Sequence, residues 1–398
     1  MSQTQHIAES AILEAAENPA AFRQAVRAWL VETMARRAAL GADDGHYERQ
    51  QWWMAERRKA GLATPHWPSA YGGVDLSLRN HVILAEEIAR ARAPALDMFI
   101  ISLNHVPHTL IAWGSEAQKR KYLPGVAEGV VWCQGFSEPS AGSDLASLRT
   151  RAVRDGDHYV VNGQKIWSSY SMYAEHCILL ARTGPEAPKH RGISYFLLDM
   201  KAPGVEVRPI RQATGEAEFA EIFLTDVRIP AEDLVGEENQ GWAVAQTTPS
   251  AERGVLAFEI FERQRYEMED VFASAVVRNA PWLSDAHMRR EYLRLFGEMQ
   301  ACRRLLRRLL REVETASPEA AATVVHAKVI YTSLDKRIGE FMLRAQGLHA
   351  QICRPAADQV TQTPMYNYLF AFGTTIAGGS NEIMRNLISE RILGMPRG

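Results

Sequence analysis

Residues 150–169 read TRAVRDGDHYVVNGQKIWSS. Runs rich in β-formers flank Asp155-Gly156, a dipeptide suited to a hairpin turn, and Asn162-Gly163 offers a second turn. Similar short runs follow at Cys177–Ala181, Ile193–Leu198, Val205–Ile210 and Glu221–Leu224. No helical period separates them, so roughly five to seven short strands are expected, in an antiparallel sheet or barrel of about a hundred residues.

Outward from this block the period changes on both sides. On the N-terminal side, Asn18-Pro19 reads as a cap followed by proline at the first helical position. Phe22, Val26, Trp29 and Leu30 then recur at helical intervals. Ser115 and Gln118 match a capping box, and the helix they open is expected to end at Pro124. The stretch from His66 to Gly73 is dense in helix breakers and reads as a loop. On the C-terminal side, Val324, Val325, Val329, Ile330, Leu334, Ile338, Phe341 and Met342 mark the apolar face of a long helix stopped at Gly347. A last helix follows Gly378-Gly379-Ser380, with Ile383, Leu387, Ile388 and Ile392 expected inward and a stop at Gly394. The class is therefore α+β, with a helical region at 1–131, a β region at 132–236 and a second helical region at 237–398.

The chain has 398 residues, with 45 Lys plus Arg against 47 Asp plus Glu. That near balance lacks the basic footprint of a nucleic-acid binder. Cys133, Cys177, Cys302 and Cys353 form neither a CxxC pair nor a zinc spacing, so free thiols in a reducing compartment and no metal are expected. The segment MSQTQHIAES lacks a basic start and an apolar core, which reads as no signal peptide and a cytoplasmic protein. The longest stretch free of Asp, Glu, Lys and Arg, Gln359 to Asn381, is broken by polar and bending residues, so no membrane span is expected.

Three short segments could carry chemistry. Ser137-Glu138-Pro139-Ser140-Ala141-Gly142-Ser143-Asp144 is a surface loop on its plainest reading, and its small residues would also let backbone amides approach an anionic or planar ligand. Gly163 through Ser169 puts an indole and two hydroxyls at a strand end, suited either to a core or to a flat cofactor. Gly378-Gly379-Ser380-Asn381-Glu382 at a helix start is a plain cap or a place for a phosphate or polar ring edge. Glu252-Arg253 is a solvated pair in most contexts and a general base with its neighbour in a few.

Taken in order, these segments resemble the acyl-CoA dehydrogenase family, and the resemblance covers nearly the whole chain. Trp67-Pro68 through Gly72-Gly73 with Glu86-Glu87 is similar to its N-terminal signature, and Gln118-Lys119 through Tyr122-Leu123-Pro124 to the helix leading into the sheet. Phe136 through Asp144 and Asn162 through Trp167 are similar to its two flavin segments. IAGGSNEIMRNLISERILGMPRG, from Ile376 to Gly398, is similar to its C-terminal signature.

The resemblance implies an N-terminal helical domain, a middle antiparallel β-barrel and a C-terminal four-helix bundle. It implies one FAD per subunit and α,β-dehydrogenation of an acyl-CoA, with a carboxylate taking the α-proton and the β-hydride passing to flavin N5. Gln134, Phe136, Ser137, Gly142 and Ser143 would line the flavin loop, Ser143 also lying near the CoA arm. Trp167, Ser168 and Ser169 would hold the ring's other face and edge, and Ser380, Asn381 and Glu382 would meet the cofactor at the last helix. Some members carry the base in the loop before that helix, where this chain has Gly378. Isovaleryl- and long-chain-type members carry it on an earlier helix before an arginine, and Glu252-Arg253 matches that pattern. Glu252 is thus the expected base and Arg253 its substrate-ordering neighbour, with the backbone at Gly378-Gly379 facing the thioester carbonyl.

The chain departs from the family pattern in three places. Ser137 and Ser169 replace commoner threonines, the family's usual Arg…Phe-Gly…Gln pattern that contacts FAD across subunits is not recognised between 258 and 300, and the usual glycine-rich turn reads Gln346-Gly347-Leu348-His349-Ala350-Gln351. Partners implied are an acyl-CoA or carrier-bound acyl thioester, an electron-transferring flavoprotein, and a homo-oligomer, dimer or tetramer, or a mixed tetramer. A same-fold oxidase or monooxygenase and a non-catalytic partner subunit are the alternatives.

Overall fold

Asn18 accepts the amides of Ala20 and Ala21 through Oδ1, at 3.0 and 3.3 Å, and Pro19 opens helix α1 (Pro19–Ala39). Phe22, Val26 and Leu30 form its buried stripe, as the spacing predicts. The structure, a computed structural model, describes residues 12–39, 45–252, 254–351 and 363–396, the side chains of 46 and 247–252 excepted. Cys353 and Arg253 lie outside the described residues. Helices α2 (His46–Lys59), α3 (Leu78–Arg90), α4 (Val106–Trp113) and α5 (Glu116–Ala127) follow. Ser115 and Gln118 form the expected capping box, but α5 runs on through Pro124. Proline so near a helix end removes one backbone bond, and the turn continues to Ala127 around it.

Eight strands come next: β1 (Trp132–Gly135), β2 (Arg151–Asp155), β3 (His158–Ser169), β4 (His176–Arg182), β5 (Ile193–Asp199), β6 (Val205–Ile210), β7 (Phe219–Pro230) and β8 (Leu234–Val235). Their order is β6-β7-β3-β2-β4-β5-β8, with β1 on β4. The hairpin at Asp155-Gly156 is present, with Asp155 opposite His158. Asn162-Gly163 is no turn: it is a bulge within β3, where the register against β7 shifts. A Cβ at Gly163 would stand 2.4 Å from Thr150 Oγ1, so close packing demands the glycine there. Nor is the sheet purely antiparallel, since β1 and β2 each pair with β4 in parallel. Cys133, Tyr159, Val161, Cys177, Leu179, Phe196 and Leu198 fill its core.

The helical period then returns in α6 (Gly241–Glu252), α7 (Val255–Arg278), α8 (Ala286–Glu314), α9 (Ala320–Gln346), α10 (Pro364–Thr374) and α11 (Asn381–Leu387). Phe258, Phe261, Leu295, Met299, Leu306, Leu334, Ile338 and Phe341 make the core of α7, α8 and α9. Gly347 ends α9 at φ 59°, as expected, but Ile330 points out and is 44 % exposed. In the last helical segment Asn381 and Met384 are the deeply buried residues, while Ile392 is 38 % exposed.

The chain divides into two compact units. One holds 1–49, 76–95 and 252–398, and the other 50–75 and 96–251. In the first unit α3 buries Glu86 and Glu87 along with its apolar face. Arg23 reaches Glu86 and Glu87 at 2.6 Å each, Arg27 reaches Glu87 at 2.9 Å, and Arg303 and Arg307 bind Glu86 from α8. Burial pushes both carboxyls up, but these guanidinium groups win and hold both below the usual carboxylate range. Among the described residues no helix is long and apolar enough to cross a membrane, and Cys133, Cys177 and Cys302 are free and buried.

Candidate functional site

Backbone and hydroxyl bonds join β1, the loop after it and the end of β3. Ser168 Oγ donates to the Gln134 carbonyl at 2.9 Å, and the Ile166 amide donates to the Ser137 carbonyl at 2.9 Å. The two segments expected to bind one cofactor are therefore side by side. Glu138 and Ala141 exchange backbone bonds at 3.0 Å each, closing the loop tip.

At this junction Trp167 has φ 63° and an indole that is 57 % exposed, edge-on to Phe219. A bulky residue in that backbone region is strained, and an exposed large aromatic there is unusual. The side chains of Gln134, Ser137 and Ser169 are half-buried. Among the described residues none of the three makes a side-chain hydrogen bond. One flat exposed ring beside uncommitted amide and hydroxyl groups fits a planar heterocycle with a polar edge, which is the chemistry of a flavin. Phe136 is half-buried against Tyr195. Ser143 and Gly142 are exposed, and a Cβ at Gly142 would meet nothing within 4 Å.

Ser168 differs from the expectation of a cofactor contact. It is 1 % exposed and its hydroxyl is spent on Gln134, so it ties the two strands together. Beside the loop, a cavity of about 380 Å³ is lined by Ser147, Arg149, Arg151, Arg182 and Lys189 with Ala146 and Pro185. Arg182 holds one wall, donating to the Ala146 carbonyl at 2.7 Å and the Leu148 carbonyl at 3.1 Å. Four basic side chains around one hollow favour an anion such as a phosphate.

The C-terminal candidates belong to the other compact unit. Gly378 and Gly379 take φ 64° and 96°, and Ser380 caps α11 by accepting the Ile383 amide at 3.3 Å. Asn381 is 4 % exposed, and its Oδ1 accepts from Thr332 at 3.0 Å and from Lys328 at 3.4 Å. It braces α11 on α9, a role at odds with a side chain offered to a cofactor. Glu382 is exposed and pairs with Arg385 at 3.3 Å. Glu252 is the final residue of α6, and Gly254 opens α7.

The sequence reading passed over two residues at the first junction, Glu138 and Lys165. Lys165 Nζ is 2.8 Å from Glu138 Oε1, and the two residues are 0 % and 7 % exposed. A glutamate and a lysine far apart in the chain give no periodic signal. Their position within the two flavin-like segments was the one available clue.

Comparison with known proteins bears on the whole chain. The family descriptions "Acyl-CoA dehydrogenase, N-terminal domain", "middle domain" and "C-terminal domain" match residues 16–130, 133–227 and 239–393. Acyl-CoA dehydrogenase IpdE1 of Mycobacterium tuberculosis is 36% identical over 389 residues, covering 94% of this chain and 97% of that protein. The solved structure described as Tcur3481-Tcur3483 steroid ACAD has a TM-score of 0.84 at 32% identity, over 96% of this chain and 98% of that one. The ChsE4-ChsE5 complex of Mycobacterium tuberculosis has a TM-score of 0.76 at 27% identity, over 100% of this chain and 99% of that one. With the fold, the junction and all three domain matches in agreement, the chain belongs to the acyl-CoA dehydrogenase family of enzymes.

Proposed function

We propose that this chain is an FAD-dependent dehydrogenase of an acyl-CoA thioester, with Glu252 as the base that removes the α-proton. The observation that carries the reading is the junction of β1, its loop and β3, where Trp167 stands exposed beside Gln134, Ser137 and Ser169. Trp167 would offer a face for the isoalloxazine ring, and the hydroxyls of Ser137 and Ser169 would bond its polar edge. Bound there, FAD supplies the acceptor for the β-hydrogen of the thioester. Ser143, with the basic hollow beyond it, would hold the CoA arm and its phosphates.

Glu252 would take the α-proton as the carbon becomes enolate-like, which needs a carboxylate kept from water. Backbone amides at Gly378 and Gly379, in a turn that turns the chain into α11, would steady the charge growing on the thioester oxygen. Arg253 would order the substrate beside the base. For the acyl group, the likeness to a steroid ACAD favours a ring-bearing, bulky acyl chain. Electrons would leave to an electron-transferring flavoprotein.

The test is an anaerobic absorbance titration of the FAD-loaded chain with straight-chain, branched and steroid-side-chain acyl-CoAs. Bleaching of the oxidised flavin band by one class is the expected result. Glu252→Gln should retain FAD and bleach at least about a thousandfold more slowly, the loss typical of removing a general base. Near-normal bleaching by Glu252→Gln would overturn the assignment of the base.

A second reading has its own support, since two of the structural relatives are described as pairs of different chains. In that reading the chain is one subunit of a mixed tetramer and binds FAD only with its partner. A purified chain that stays colourless with added FAD, and turns yellow when co-expressed with a homologous chain, would favour it.

A further inference from the structure

We propose that Glu138 and Lys165 are a positioning pair, which locks the loop 136–144 onto the end of β3 and so gives the cofactor junction its shape. The inference rests on the flavin reading above and assigns residues that touch neither cofactor nor substrate. Lys165 Nζ donates to Glu138 Oε1 at 2.8 Å and to the Phe136 carbonyl at 3.2 Å. Glu138 also accepts the backbone amides of Arg149 at 2.6 Å and Thr150 at 2.8 Å. One carboxylate thus gathers the loop's start, the segment leading into β2 and, through Lys165, β3. The residue next to Lys165 donates its amide to Ser137, and the residue next to that is Trp167. The pair therefore sits directly behind the two groups proposed to meet the flavin.

Stability alone does not account for it. Removing two charges from water costs several kcal/mol per ion, and well-packed apolar side chains of similar volume are often as stable. What an apolar pair could not supply is direction. Lys165 offers three N–H donors and Glu138 two acceptor oxygens, and these bonds use both oxygens and two of the donor directions. A buried pair satisfied in this way fixes one loop geometry and no other.

The experiment compares wild type with Glu138→Gln, Lys165→Met and the double variant carrying both, measuring melting temperature without FAD, FAD dissociation constant by flavin fluorescence, and visible circular dichroism of bound flavin. Lys165→Met alone should melt well below wild type, because it leaves a buried carboxylate without its cation. The double variant should recover most of that melting temperature and still bind FAD at least tenfold more weakly, with an altered flavin dichroism. FAD affinity within twofold of wild type in the folded double variant would reduce the pair to a packing element and overturn the proposal. Should the Lys165 variants fail to fold, Glu138→Gln decides: it keeps the side-chain shape but sets an amide NH2 where a carboxylate oxygen accepts an N–H, so a lower melting temperature is expected together with a several-fold weaker FAD affinity and an altered flavin dichroism, whereas unchanged affinity and dichroism in the folded variant count against the proposal. A wild-type chain that binds no FAD at all, alone or with a homologous partner, would instead remove the flavin reading itself.

Discussion

Trp167 holds a left-handed backbone angle, φ 63°, to keep an indole 57 % exposed. Such a conformation costs a side-chain-bearing residue of order 1–3 kcal/mol. Its edge contact with Phe219 returns part of that, at most about 1.5 kcal/mol. Strain kept at an exposed position is what a binding role would explain. Trp167→Gly should accordingly leave the melting temperature of the FAD-free chain nearly unchanged, since relief of strain offsets the lost ring contact. FAD affinity should fall at least tenfold in the same variant. A large drop in melting temperature with FAD affinity intact would mean that the indole serves the fold and not the cofactor. At this scale the sequence was legible where a residue type matters by itself. The small loop residues and the tryptophan stood out. The Glu138–Lys165 pair and the inward turn of Ser168 depend on which strands meet, and no local pattern encodes that.

Helices and strands were legible wherever one face is buried, and least so at places where a neighbour overrides local preference. The asparagine-glycine dipeptide in β3 has turn chemistry, yet Thr150 packs against Gly163 and the strand bulges instead of reversing. Ile330 fits the apolar repeat of α9 but lies on its outer side. Between α7, α9 and α10 the elements also carry an electrostatic cost that periodicity does not show. Burial raises the carboxyl of Glu267 on α7 to about 7, with Asp335 and Asp270 adding to the shift while Arg92 and Asn367 oppose it. Burial raises that of Asp335 on α9 to about 6, against hydrogen bonds from Thr374 and Gln264.

Each acid therefore binds its proton more tightly in the folded chain. Their favourable contribution is fully present below the unfolded carboxyl values near about 4, and it is lost as pH rises through about 6 and about 7. Glu267→Gln, which mimics the protonated form, should match wild type at about pH 4 and exceed it by roughly 1–3 kcal/mol at about pH 8. Urea unfolding at the two pH values checks this. A stability difference independent of pH would show that Glu267 does not titrate between them.

For the whole molecule, order along the chain and order in space differ. The helices–strands–helices succession was legible from period alone, because each period buries one stripe. The packing partners of α3 were not. The segment Leu76–Ala95 lies in the N-terminal third, yet it belongs to the compact unit built on 252–398. Ala85 packs in the same core as Phe258 and Leu306, and Glu86 depends on Arg303 and Arg307 as well as Arg23. The chain thus passes between the units after residues 49, 75, 95 and 251, so the first unit cannot be completed before α7 and α8 are made, whereas the second has all its residues by 251. A chain cut after residue 236 would strand the buried face of α3 and leave Glu86 with one cation in place of three. Breaking a buried ion pair by removing partners costs about 3–5 kcal/mol, a large share of the roughly 5–15 kcal/mol that holds a domain folded. The fragment 1–236 should therefore lack a protected α3 even if its strands form. Hydrogen exchange read by mass spectrometry checks this directly: peptides covering 78–90 should exchange as freely as an unfolded chain in the fragment and slowly in the whole protein, while peptides of β3 to β5 stay protected in both. Slow exchange across 78–90 in the fragment would show that α1 alone suffices to hold α3, and that the N-terminal helices fold without the C-terminal ones.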